Sequence, residues 1–136
     1  MRMANEAVIL EINEYANAKQ YTCAAGTSIS KGCLLELSGA NTVIASAVSG
    51  GVYAGVAAMD KDGTDSSTKI AVYVPNSLNK YDMYVGGTTT ISAGHMVSLS
   101  GANQIKHATE AEVITGAVIG RVMESGATSA TVVVLS

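Results

Sequence analysis

An internal duplication constrains this chain more than any other feature. Residues 29–46 read ISKGCLLELSGANTVIAS and residues 91–108 read ISAGHMVSLSGANQIKHA, at a constant offset of 62. Eight of these eighteen positions are identical: Ile29/Ile91, Ser30/Ser92, Gly32/Gly94, Leu37/Leu99, Ser38/Ser100, Gly39/Gly101, Ala40/Ala102 and Asn41/Asn103. Chance in a chain rich in Ala, Gly and Ser gives about one or two. Leu34/Met96, Leu35/Val97 and Val43/Ile105 are conservative. The likeness continues with small gaps, Tyr53–Asp60 matching Val118–Glu124 and Thr68–Val74 matching Ala130–Leu135. A self-similar period of this kind means one supersecondary unit used twice.

Each half reads as strands. Cys33–Leu37 alternates up to a Ser-Gly-Ala-Asn turn, and Thr42–Ser46 resumes with β-branched residues, which is a hairpin signal. Gly39 and Asn41, repeated as Gly101 and Asn103, are the residue types that most cheaply take the positive φ of a tight connection. Gly51–Met59 is an apolar strand whose small residues leave room for close backbone approach. A loop, Asp60–Ser67, leads to a strand at Thr68–Val74 with Ile70, Val72 and Val74 on one face. The second half predicts strands at Val113–Met123 and Ser129–Leu135. The expected fold class is therefore all-β, a small sandwich or barrel built from two repeated halves, either one sandwich or two fused barrels. The chain divides into an N-terminal arm (1–18), a first repeat (19–74), a connector with the only proline (75–84) and a second repeat (85–136), one compact domain overall.

The arm has no counterpart in the second half. Val8, Leu10 and Ile12 alternate as a strand would, while Val8, Ile9, Ile12 and Tyr15 have near-helical spacing. It is either an edge strand completing the sheet or an extension that docks on a neighbour. The polar run Asn13–Gln20 makes a poor core strand and favours the extension.

Composition excludes several classes. Only 14% of residues are charged, against about 25% in an ordinary soluble domain. Eight Lys and Arg face eleven Asp and Glu, so electrostatic binding to nucleic acid is not expected. With 48% apolar residues the chain has enough to bury and is not disordered. No apolar run approaches the ~18 residues of a membrane-spanning helix. Glu6, Glu11 and Glu14 interrupt the stretch where a signal peptide would carry its apolar block, so the expected site of synthesis and assembly is a cytoplasm. Cys23 and Cys33 lack metal or redox spacing and read as buried thiols.

Candidate chemistry is sparse. Asp60-Lys-Asp-Gly-Thr-Asp65 resembles part of a calcium loop, but its Gly follows the second Asp and no bidentate Glu closes it. The equivalent turn, Glu124–Thr128, has a single carboxylate, so a solvated turn is expected rather than a metal site. His95 and His107 align with Cys33 and Ala45 and have no neighbours in a recurring catalytic order. No phosphate loop, zinc spacing or paired carboxylates occur, and the six Tyr do not interleave with basic residues. The expectation is no enzyme, no cofactor, no metal, and no nucleic-acid, membrane or small-molecule partner.

Several segments together resemble the small head decoration, or cement, proteins of tailed bacteriophages. They are AKQYTCAAGTSISKGCLLEL (18–37), Gly55-Val-Ala-Ala-Met59, Ile119-Gly-Arg-Val-Met-Glu124 and Thr131-Val-Val-Val-Leu135. The resemblance covers about residues 18–136, with the duplication as a departure from it. It implies a β-rich protein on the virion exterior that binds the major capsid protein of an assembled icosahedral shell, as a homotrimer. It also implies a terminal arm that reaches adjoining subunits, with Val8, Ile9, Leu10, Ile12 and Tyr15 as anchors. Charge depletion, which marks interface cores, agrees with extensive protein contact. Another self-assembling β subunit, of a tail, fibre base or surface layer, is the alternative.

Overall fold

The computed structural model describes residues 6–11, 18–47, 49–64, 66–75, 79–86, 91–126 and 128–134. Among them the chain is all-β with one short helix. β1 (Val8–Glu11) comes first. The first repeat follows as β2 (Lys19–Thr22), β3 (Leu34–Gly39), β4 (Thr42–Ala45), β5 (Tyr53–Ala57) and β6 (Lys69–Tyr73). The second repeat holds β7 (Lys80–Tyr84), β8 (Met96–Gly101), β9 (Gln104–His107), the helix α1 (Glu110–Thr115), β10 (Gly120–Ser125) and β11 (Ser129–Val134).

The first repeat closes into a barrel in the order β2-β4-β3-β5-β6. The second gives a six-stranded sheet, β1-β7-β11-β10-β8-β9, in which β7 to β9 keep the same neighbours. A parallel bridge, Val85–Ile105, joins β7 to β9 where the parallel pair Thr22–Thr42 closes the first barrel. The chain is thus two fused barrels of one topology, the second carrying β1 outside β7.

This corrects the boundary drawn from sequence. The expected connector contains β7, the first strand of the second repeat. Tyr81 pairs with Val132 as Lys19 pairs with Val72, so the offset of 62 extends into β2 and β7. Lys19-Gln-Tyr-Thr22 and Tyr81-Asp-Met-Tyr84 share no residue, which hides the equivalence.

The identical residues recur because they make the same turns. Gly32 (φ 91°) and Gly94 (φ 92°) supply the left-handed position of a type II turn. The turns close through Cys33 N–H to Ser30 O and His95 N–H to Ser92 O, both 3.1 Å. Asn41 and Asn103 sit at φ 52° and 55° in the two hairpin loops, each after a register shift in the preceding strand. Gly101 also has positive φ, at 128°, whereas Gly39 does not. Gly55 justifies the small-residue strand: at φ 142° a Cβ there would collide with the Tyr73 carbonyl.

Two apolar clusters fill the barrels. Cys23, Ile29, Leu35, Val43, Ala57, Ile70 and Val72 belong to the first. The second combines Tyr81, Met83, Val97, Leu99, Ile105, Ile119, Val122 and Val132 with Leu34, Tyr53 and Val56. The last three alternate with inward residues of β3 and β5, so they leave the outer face of the first barrel and enter the core of the second. Asn103 fixes the junction. Its Oδ1 accepts from Leu34 N–H and its own N–H donates to Ser46 Oγ, both at 2.9 Å. Gly50 N–H donates to Leu99 O beside them, at 2.9 Å.

The strand expected at Val113–Met123 is shorter, beginning at Gly120, and Val113 lies in α1. Thr109-Glu-Ala-Glu112 forms a reciprocal capping box, and Gly116 ends the helix in the left-handed conformation at φ 81°. This Thr-x-x-Glu pattern is legible in the sequence and marks the helix that periodicity missed. No helix of the described residues is long and apolar enough to cross a membrane.

Candidate docking surface

The N-terminal segment is a strand of its own sheet, not a free extension. Antiparallel pairing sets Val8 opposite Asp82 and Ile9 opposite Tyr81. Strand alternation then divides the segment by face. Ala7 is buried and Ile9 packs against the second core, in the row Ile9–Tyr81–Val132–Val122. Val8 and Leu10 point outward and are 55% and 46% exposed. The polar run Asn13–Gln20 does not oppose this pairing, because the strand ends at Glu11. Ile12 and Tyr15, the remaining expected anchors, lie outside the described residues.

β1 also ties the two barrels together. Ala7 N–H donates to Gly32 O at 2.8 Å, and the Ser30 hydroxyl donates to the Glu6 carboxylate. Residues 6 and 7 are therefore held by the first barrel, and 8–11 by β7 of the second. Two shallow hollows flank the strand. One, of about 390 Å³, is lined by Glu6–Ile9, Lys31, Gly32 and Asp60. The other, of about 270 Å³, joins Leu10 to Asp82, Glu124 and Thr131 on the outer face of the sheet. β1 ends the sheet order, so it pairs on one side only and presents an edge.

The hairpin turns do unequal work. Gly39 and Asn41 are exposed, whereas Asn103 is 2% exposed and pinned against the first barrel. The structure does not bring them together with Val8, Ile9 and Leu10 in one site.

The other candidate groups have structural partners. Asp60 accepts from Lys31 N–H at 2.7 Å. Asp62 accepts from the N–H and hydroxyl of Thr64, both 2.9 Å, and these bonds, the backbone one foremost, hold its carboxyl below the usual range. Lys61 is buried, and its Nζ donates to the carbonyls of Ala25 and Thr27, both at 3.0 Å. An ammonium thus sits on carbonyl oxygens beside the acidic loop. Asp65 lies outside the described residues, among which no group of three or more metal-ligating side chains occurs. Burial pushes the Cys33 thiol up to about 11, against an opposing bond from Asn103, and Cys23 is buried too. His95 and His107 stack face to face, 4.1 Å between centroids. The sequence gave no sign of this contact, which follows from the β8–β9 register pairing Val97 with His107.

No protein-family model matches the chain, and no curated protein is similar to it.

Proposed function

We propose that this chain is a non-enzymatic structural subunit of a bacteriophage virion that binds the outer surface of an assembled icosahedral capsid. It acts as a trimer, contacts the major capsid protein and stabilises the shell after assembly in the host cytoplasm. The observation that supports this reading is the edge strand β1, with Val8 and Leu10 exposed on its outer side at 55% and 46%. An edge offers backbone groups to another chain, and alternate apolar side chains give the pairing its selectivity. A subunit that binds only the mature shell stabilises it by its differential affinity, and many weak contacts on one particle add through multivalency. Few charges and a net charge of −3 suit apolar contact with protein and need no contact with DNA.

The test is co-sedimentation with purified mature and unexpanded shells. Wild type is expected to bind mature shells and not unexpanded ones. The double variant Val8→Asp, Leu10→Asp should keep its β-sheet circular dichroism and bind at least about tenfold more weakly, a loss of 1.4 kcal/mol or more. Undiminished binding by the variant, or no binding of wild type to any shell, sinks the reading. The same exposed edge also fits a tail, fibre-base or surface-layer subunit. Tubes or sheets formed without any shell would favour that second reading.

A further inference from the structure

The two barrels use equivalent parts unequally. At the turn end of the second barrel Leu99 is 0% exposed and Asn103 2%. The cover is the outer face of the first barrel, through Leu34, Tyr53 and Val56. The same end of the first barrel is open. Leu37, the counterpart of Leu99, is 42% exposed, and Asn41 is exposed with its whole turn. Val52, the counterpart of Ala117, is 49% exposed, while Ala117 is 4% exposed.

The cover has a counterpart as well. Leu34 pairs with Val56 as Met96 pairs with Arg121, so these pairs occupy the same place on the two barrels. The outer face of the second barrel therefore carries Met96, Arg121 and Met123, with Met123 55% exposed. One chain thus holds a used end and a used face, joined within it, and an open end and an exposed face at its two extremes.

We infer that the open end of the first barrel is closed by the outer β8–β10 face of a second copy of this chain, head to tail. The contact continues the interface that the two barrels already make within one chain. Leu37 takes the place of Leu99, and Asn41 Oδ1 the acceptor role of Asn103, with Met96 N–H as donor. Ser46 is replaced by Ala108 at the equivalent position, so one of the two Asn bonds is lost and the contact between copies is the weaker. Met and Arg are enriched in interfaces, and Met adapts to an irregular partner. A head-to-tail contact is heterologous, so it propagates until a ring closes. Closure at three copies makes a ring of six barrels. The contact deepens the trimer reading but needs no shell, so its failure is distinguishable from a failure of shell binding.

The experiment is a mass measurement in solution on the full chain. Wild type, Leu37→Glu and Met123→Glu are compared, both substitutions being at exposed positions. Wild type is expected as a multiple of one chain and each variant at the mass of one chain. An equimolar mixture of the variants should form two-chain species, because Leu37→Glu keeps its outer face and Met123→Glu its open end. Wild type at the mass of one chain overturns the inference. So does either variant assembling like wild type, or a mixture that stays at one-chain mass. If Leu37→Glu does not fold, Leu37→Gln takes its place and is read the same way.

Discussion

Glu112 shows how much one side chain can organise here. Its carboxylate accepts from Thr109 N–H at 2.8 Å and Ser98 Oγ at 3.0 Å, and pairs with Lys106 Nζ at 3.0 Å. Burial raises its pKa, but the bonds from the Thr109 backbone, Lys106, Ser98 and the Thr109 side chain together outweigh that and bring it to about 2. A carboxyl depressed on folding stabilises fully above its unfolded value of 4.5 and loses that contribution as pH falls toward about 2. Glu112→Gln should therefore lower stability by about 1 kcal/mol at pH 7, a figure kept small by solvent screening. Urea unfolding should show the gap to wild type narrowing between pH 4.5 and about 2. A gap independent of pH would reject this assignment. The Thr109–Glu112 half of the network is local and legible in sequence. Ser98 and Lys106 are not, because only the β8–β9 pairing and the placing of α1 beside it bring them near.

At the scale of the element, β1 is the informative case. Its alternation was readable, and it sorts Ile9 from Val8 and Leu10 once a partner strand is present. Nothing in residues 8–11 names that partner, since β7 shares no motif with them. Ile9→Asp places a charge against the second core and should cost about 1–3 kcal/mol. Val8→Asp, on the solvent side, should stay within about 0.5 kcal/mol. Thermal unfolding of the two variants checks the order, and equal losses would mean that β1 does not hold its described register. The turns behaved differently from β1. Ser-Gly-Ala-Asn encodes its own geometry, so both copies form, and the left-handed Asn recurs to within a few degrees. What the copies then touch is not encoded in the turn.

For the molecule as a whole, the two barrels share side chains rather than merely abut. Leu34 is 1% exposed, lies in the second core and donates its N–H to Asn103. Truncating it leaves a cavity at the junction, for which Leu→Ala costs about 2–5 kcal/mol. Leu34→Ala should thus lower one cooperative unfolding transition, with fluorescence of the buried Tyr and far-ultraviolet dichroism moving together. Two separated transitions, one per barrel, would show that the halves fold independently. The duplication, the strand-rich halves and the turn conformations were determined by the sequence itself, because period-2 alternation and the φ preferences of Gly and Asn act over a few residues. Tertiary structure alone decided that the halves are two barrels, that β7 belongs to the second, and that Leu99 is covered while Leu37 is open. Those outcomes depend on which face of one barrel meets which end of the other, a choice between near-identical local structures that only packing can make.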